Sequence, residues 1–553
     1  MRQTAVTLAG LGLVVVGALA GHWFDEAGSP APPERFETVQ SAYEVIRDSY
    51  VDPVPAESLT AAGIRGMTES LDPFSVYIAP DRMKRVEESF SGSFEGIGVS
   101  YELIDGPNDR DTIGVTTVVA DGPSAEAGLR AGDRIVEVEG ESAVGWSHQK
   151  IQRRLKGPEG STVRVTLRRP SEPSPIERTI RRGTVPMETV DAAYMMDDRT
   201  GYLRLNRFAR TTHREVTDAL TSLKEQGMTR LMLDLRGNAG GLMSMAEAVA
   251  DEFLVEGQLI VEARSRHEQY GGARYATEEG LLESVPLVVL VDEHSASASE
   301  IVAGALQDHD RAVLVGRRTF GKGLVQRQFD LQDGSGLRLT VARFYTPSGR
   351  LLQRSDERAE GALSVPVDTS ALPDSLLHRT DAGRLVVGGG SIHPDRVVVD
   401  SIENPYRRAV TQEGIVRDFA RRWADAHSER LRAEWAGRPD AFARDFELPS
   451  VAYSDFVEYA AGHGRSGEGG KTAGFLAPSR TDAVVSGGPF DPEAIRAARP
   501  QIETDVTAYL GRRLFGPSMF VRIRNRSDDV LQAAHEAWPR AEKWADRYPV
   551  STP

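Results

Sequence analysis

Short apolar runs alternate with amphipathic stretches between residues 200 and 345. The runs at 201–205, 230–235, 287–291, 312–315 and 337–345 have the pattern of strands, and 287–291 is continuously apolar as a buried strand is. Segments 212–226, 242–253 and 295–307 between them predict helices; in the last, Ile301, Val302, Ala305 and Leu306 share one face. Strands and helices in alternation predict an α/β core. Upstream, Phe36, Val39, Tyr43, Ile46 and Tyr50 recur at helical spacing and predict a helix ended by Pro53, with further helices at 57–71 and 81–90. From Gly92 the chain breaks into short strands and glycine turns, with strands at 113–119 and 162–168 and a helix at 146–155. Residues 355–384 are charged and irregular, a surface insertion. Beyond Asn404 the pattern is mostly helical, with 405–435, 492–514 and 528–547 as the longest candidates and 462–470 as a flexible break. The 553 residues divide into an apolar N-terminal segment (1–24), a linker and helical region (25–91), a strand-and-turn domain (92–182), the α/β core (183–403) and a helical extension (404–553).

The polar cluster His294-Ser295-Ala296-Ser297-Ala298-Ser299-Glu300 stands where strand 287–291 hands over to a helix. A hydroxyl there is accessible, and the helix N-terminus behind it offers unpaired N–H groups and a partial positive charge. A nucleophile and its developing oxyanion require both. Lys322 follows, between Gly321 and Gly323 and flanked by Phe320 and Leu324. To serve as a base near pH 7 its pKa must fall from ~10.4 to ~7–8, about 4 kcal/mol, and desolvation among apolar groups acts in that direction. The run Asp234-Leu235-Arg236-Gly237-Asn238-Ala239-Gly240-Gly241 joins a strand to a helix through a glycine turn that can present backbone donors. Other readings compete. Ser295, Ser297 and Ser299 could be plain N-caps and packing residues. Residues 316–323 spell G-x-x-x-x-G-K-G, but Gly323 stands where a phosphate loop needs Ser or Thr, and a strand follows. A Ser-His-Asp triad through His294 or His309 would leave Lys322 without a role.

These stretches resemble the active-site region of the C-terminal processing peptidases (tail-specific proteases), serine peptidases with a Ser-Lys dyad. Residues 234–241 are similar to that family's LDLRxNxGG motif, with Ala239 where proline or glycine is common. The resemblance implies Ser297 as nucleophile, Lys322 as general base and Gln326 as the glutamine that orients it. It implies an oxyanion hole from the N–H of Ala298 and of Gly240 or Gly241, and a supporting acid at Asp308. Leu71-Asp72-Pro73-Phe74-Ser75-Val76-Tyr77 and Tyr345-Thr346-Pro347-Ser348-Gly349-Arg350 extend the match. Residues 92–182 resemble a PDZ domain, in which the loop Phe94, Glu95, Gly96, Ile97 and Gly98 would hold a terminal carboxylate and the next strand would accept a peptide as an added strand. The implied fold is α/β and multidomain: an N-terminal helical region, a PDZ domain, an α/β crotonase/Clp-like protease core and a helical C-terminal extension that the resemblance does not reach. The implied function is cleavage of proteins near their C-termini, without cofactor or metal. The alternative is a catalytically silent PDZ scaffold or ligand-binding relative on the same core, against which the intact Ser297, Lys322 and Gln326 set stands.

Charge and composition narrow the partners. A net charge of −15 with no basic block argues against nucleic acid. The absence of cysteine excludes disulfides, thiolate metal sites and lipoprotein attachment, and the 11 histidines form no H-E-x-x-H. Residues 4–21 are apolar and uncharged, marginally long enough to span a bilayer. They also suit a signal peptide with Ala18-Leu19-Ala20 as its cleavage site. The expectation is an exported, periplasmic or extracytoplasmic protein, anchored in the membrane if that segment is kept. Its substrates would be proteins or peptides with a free, apolar C-terminus, and a second copy or an activating adaptor are further partners to look for.

Overall fold

The computed structural model describes residues 34–104, 111–277, 279–354, 372–398, 404–463 and 491–548. The N-terminal apolar segment and the linker to residue 33 lie outside the described residues, as do most of the charged insertion and of the 462–470 break. No helix among the described residues is long and apolar enough to cross a membrane. The described residues form two compact units, those up to residue 80 with 328–339, and those of 81–327 with those from 340 onward.

In the smaller unit the helices Glu34–Ser49 and Ala56–Glu69 precede the strand Val76–Ile78, which pairs antiparallel with residues 336–338. Asp72 stops the second helix, accepting the N–H groups of Phe74 and Ser75 at 2.9 and 3.0 Å. The first helix lies within two residues of the expected 36–50 span, but its apolar stripe is not a core face. Phe36, Val39, Ile46 and Tyr50 are all exposed.

The larger unit contains the remaining domains. The PDZ domain has a sheet that runs Val99–Ile104, Thr112–Val118, Arg134–Val138, Thr162–Arg168, Ile176–Arg181, with the helix His148–Leu155 against it. Ile113, Ile135, Ile151, Val165, Leu167 and Ile180 are fully buried within it. The strand Val99–Ile104 lies at the sheet's edge.

The α/β core is a six-stranded sheet, ordered Val190–Met195, Thr200–Leu205, Arg230–Asp234, Leu287–Val291, Val313–Gly316, Arg396–Val397. All pairs but the first are parallel. A parallel sheet is covered on both faces, which explains why its central strands read as unbroken apolar runs. The helices Thr212–Glu225, Met243–Asp251 and Ala298–Asp308 cover one face, where Leu203, Leu233, Val289, Ile301 and Leu314 meet. The C-terminal extension covers the other: Trp538, Ala541 and Trp544 pack on Tyr202, Met232, Val288, Leu290 and Val315. The expected 405–435 helix is three, Pro405–Gln412, Ile415–Ala426 and Ser428–Trp435, because Gly414 turns left-handed (φ 73°) after the first and His427 leaves helical geometry after the second.

Candidate active site

Three loops at the carboxyl ends of neighbouring core strands build the site. The loop after Leu287–Val291 leads into the helix Ala298–Asp308, which begins three residues later than its periodicity suggests. Residues 292–297 are instead a tight bend. Asp292 Oδ1 accepts the N–H groups of His294 and Ser295, both at 3.0 Å, and of Gly237 from the neighbouring turn at 2.9 Å. Ser295 and Ser299 are fully buried, and their hydroxyls donate to the carbonyls of Leu235 (2.9 Å) and Asn238 (2.8 Å). Ser297 alone of the three is partly exposed. It sits at the N-cap with φ 55° and ψ −112°, a conformation that costs a non-glycine residue about 1–3 kcal/mol and persists only when its surroundings impose it. A serine on a strained strand-to-helix turn presents its hydroxyl outward.

The imposing group is Glu300, which the motif reading passed over. Its carboxylate is fully buried. Oε2 accepts the backbone N–H of Ser297 at 2.8 Å and of Lys322 at 2.9 Å, while Oε1 accepts from Gly321 N at 2.8 Å and Thr319 Oγ1 at 2.5 Å. Burial raises the Glu300 pKa, and these hydrogen bonds pull it back only in part. One carboxylate therefore ties the serine bend to the lysine loop. The signal was present as Ser297 followed three residues later by glutamate, the pattern of a capping box. Lys322 Nζ donates to Gln326 Oε1 at 2.9 Å.

The glycine turn after Arg230–Asp234 lies against the same bend. A Cβ on Gly240 would stand 2.9 Å from Ala298 N and from Ser297 Cβ, and Gly240 has φ 96°, so only glycine is accommodated. The N–H of Gly240 donates to Asn238 Oδ1 (2.9 Å), and its carbonyl accepts from Phe208 N (3.0 Å). A trans peptide directs the next N–H away from that carbonyl. The N–H groups of Gly241 and Ala298 carry no hydrogen bond among the described residues. Asn238, also unforeseen, holds the turn by donating to Leu205 O and accepting Ala296 N at 3.0 Å. Below it Asp234 is buried; desolvation would raise its pKa, but Arg236, Arg204 and the Tyr202 hydroxyl hold it below the usual carboxylate range.

Two candidates move away from the site. Asp308 is the last residue of the helix that Ser297 caps, about 16 Å away at 1.5 Å per residue. It is buried against Arg350 and accepts the Ser348 hydroxyl at 2.7 Å, so it fastens the core and does not support the dyad. His309 sits at the same far end, with its ring nitrogens on Asp381 (2.6 Å) and Leu259 O (2.7 Å). His294 is exposed, 3.9 Å from Glu293, and neither histidine is bonded to Ser297. The triad has no geometric basis.

In the PDZ domain the expected carboxylate loop is shorter than its motif. Phe94, Glu95 and Gly96 belong to the strand Ser93–Gly96, paired with Gly183–Pro186, which leaves Ile97 and Gly98 as the turn proper. Their carbonyls accept from Ser124 N and Val119 N at 3.0 Å, and their N–H groups carry no hydrogen bond among the described residues. The turn opens onto the edge strand Val99–Ile104 and the helix His148–Leu155, where Tyr101 and His148 rings lie 5.7 Å apart.

A serine at a strained strand-to-helix bend, donors at a neighbouring glycine turn and an attached PDZ domain define a serine peptidase that takes protein substrates. Peptidase family S41 matches residues 199–357, the PDZ domain family residues 114–169, and the activating protease CtpB N-terminal domain family residues 23–82. The carboxy-terminal processing protease CtpA of Bacillus subtilis is 33% identical over 373 residues, covering 67% of this chain and 77% of that protein. The same organism's CtpB is 32% identical over 343 residues, covering 62% and 70%. The carboxy-terminal-processing protease of Bartonella bacilliformis is 36% identical over 316 residues, covering 56% and 71%. The chain belongs to the carboxy-terminal processing proteases of peptidase family S41.

Proposed function

We propose that the chain cuts exported proteins near their C-termini through a dyad of Ser297 and Lys322. The observation that carries this reading is the Glu300 carboxylate, one oxygen of which accepts the backbone N–H of both residues. Neutral Lys322 takes the Ser297 Oγ proton as Oγ attacks the scissile carbonyl carbon. The carbonyl oxygen becomes negative between the N–H groups of Ala298 and Gly241. Gly241 is favoured over Gly240 because the Gly240 N–H is already committed to Asn238. The lysine passes its proton to the leaving amine as the C–N bond breaks, leaving an acyl ester on Ser297. It then takes a proton from the water that hydrolyses that ester, and returns it to Ser297 Oγ. Gln326 Oε1 accepts one Nζ–H and so aims the nitrogen lone pair.

The PDZ domain delivers the substrate. The N–H groups of Ile97 and Gly98 hold its terminal carboxylate, and the chain behind it pairs with the edge strand Val99–Ile104. The apolar surroundings of Ile97 and Val99 favour an apolar last residue. Export is assigned to residues 4–21, whose apolar, uncharged run suits a translocation signal.

The test is a pair of unfolded proteins that differ only in a free or an amidated C-terminus. Hydrogen bonds to an ionised acceptor are roughly twice as strong as neutral ones, so the free tail is cleaved faster, and Ser297→Ala cleaves neither. Equal rates on both tails would remove tail recognition, and retained cleavage by Ser297→Ala would remove the nucleophile.

A further inference from the structure

A cavity of about 650 Å³ lies between the carboxyl ends of the core strands and the helical extension. Arg204, Arg236 and Arg317 line it from the core, and Arg407, Arg512 and Arg524 from the extension. In a chain with a net charge of −15 this concentration of guanidinium groups does not follow from composition. Asp191, Asp292, Asp505, Asp528 and Asp529 also face the cavity and are largely committed. Asp505 is 3.0 Å from Arg407 and 3.3 Å from Arg524; Asp528 is 2.7 Å from Arg236 and caps Val530 and Leu531. Asp292 is spent on the backbone of Gly237, His294 and Ser295. Asp191 accepts from Asn206 at 2.6 Å and lies 3.6 Å from Arg204 Nε, too long for a hydrogen bond.

One guanidinium is left over. Arg512 lines the cavity from the extension with no side-chain hydrogen bond and no ion pair among the described residues. A charged donor group without an acceptor is unfavourable until something supplies the oxygen. The occupant is anionic, and it offers oxygens in more than one direction, because the guanidinium groups reach the cavity from both the core and the extension. A tetrahedral phosphate does this, and guanidinium forks match its geometry. The volume is that of a small-ligand site.

We propose that this cavity binds a small phosphate-bearing molecule and that its occupancy tunes the peptidase. The coupling is physical. Arg236 opens the glycine turn, and Asp292 pins both that turn and the serine bend. Arg317 holds Glu293 of the same bend at 2.6 Å. A ligand drawing on these groups stiffens the loops that carry Ser297 and Gly241.

The probe is inorganic pyrophosphate, titrated calorimetrically into the full chain at constant ionic strength. The expected result is saturable one-site binding, weakened at least tenfold by Arg512→Gln. Ser297→Ala is expected to bind as the unaltered chain does, which separates this result from the fate of the dyad. Amide hydrogen exchange on the unaltered chain needs no variant: pyrophosphate should slow exchange at 234–241 and 505–530. Heat without saturation, equal affinity in folded Arg512→Gln, or protection only elsewhere would overturn the site.

Discussion

Ser297 and Glu300 work as one device. The serine's left-handed backbone is held by a carboxylate that also holds the lysine loop, so Glu300→Ala should cost more than a lost cap. Four donors lose their buried acceptor at once, and each costs about 1–3 kcal/mol. We expect loss of activity together with a lower unfolding midpoint, checked by peptidase assay and thermal melt. Glu300→Gln keeps the shape but replaces one oxygen by a donor facing donors, and should fold with strongly reduced kcat. Gly240→Ala forces a Cβ to within 3 Å of Ala298 N and is expected to abolish cleavage. His393 adds a pH effect: burial, with Arg318 and Arg350 nearby, lowers its pKa from 6.5 to about 4. The unfolded chain then takes up a proton that the folded one refuses, so stability is full above 6.5 and falls as pH drops towards 4. His393→Asn should flatten that part of a melt-versus-pH curve. Ser297, Lys322 and Gln326 are picked out by the order in which they stand, and the structure places Ser297 at the N-cap and Lys322 on Gln326. Glu300 and Asn238 were not legible, because their roles lie in contacts made across loops that periodicity does not encode.

At the scale of elements, the strands were legible where burial is complete. Every residue of Leu287–Val291 is buried, and an apolar run is the direct imprint of two covered faces. The start of the following helix was misjudged because alanine and serine are compatible with helix, while the bend is set by Asp292, which binds the backbone of its own loop and of the neighbouring glycine turn. The PDZ motif was read three residues too generously for a similar reason: strand pairing with Gly183–Pro186 absorbs Phe94 to Gly96. The proposed tail site then rests on the Ile97 and Gly98 pair of N–H groups. Ile97→Pro deletes one donor, so the ratio of free-tail to amidated-tail cleavage rates should fall towards one. An unchanged ratio would move the tail site elsewhere.

For the whole molecule the surprise is the extension, which sequence patterning could call helical but could not dock. It supplies the second cover of the core sheet through Trp538 and Trp544 and also grips the PDZ domain. Arg417 and Arg421 each lie 3.4 Å from Glu102, and Asp425 takes Arg513 at 2.5 Å and Arg134 at 3.6 Å. A chain ending at residue 403 should therefore expose a large apolar sheet face and aggregate, seen as loss of soluble protein on expression, with Trp538→Ala a milder version costing about 3–5 kcal/mol. Within this frame the dyad is the central claim, and Lys322 is its most exposed point. The measurement is the rate at which the full chain degrades an unfolded protein with a free apolar tail, set beside folded Lys322→Ala and Lys322→Arg. Guanidinium cannot give up its proton, so both variants are predicted to be as inactive as Ser297→Ala, with the Ser297→Ala and Lys322→Ala double variant no worse than either. Substantial cleavage by Lys322→Arg would contradict the account.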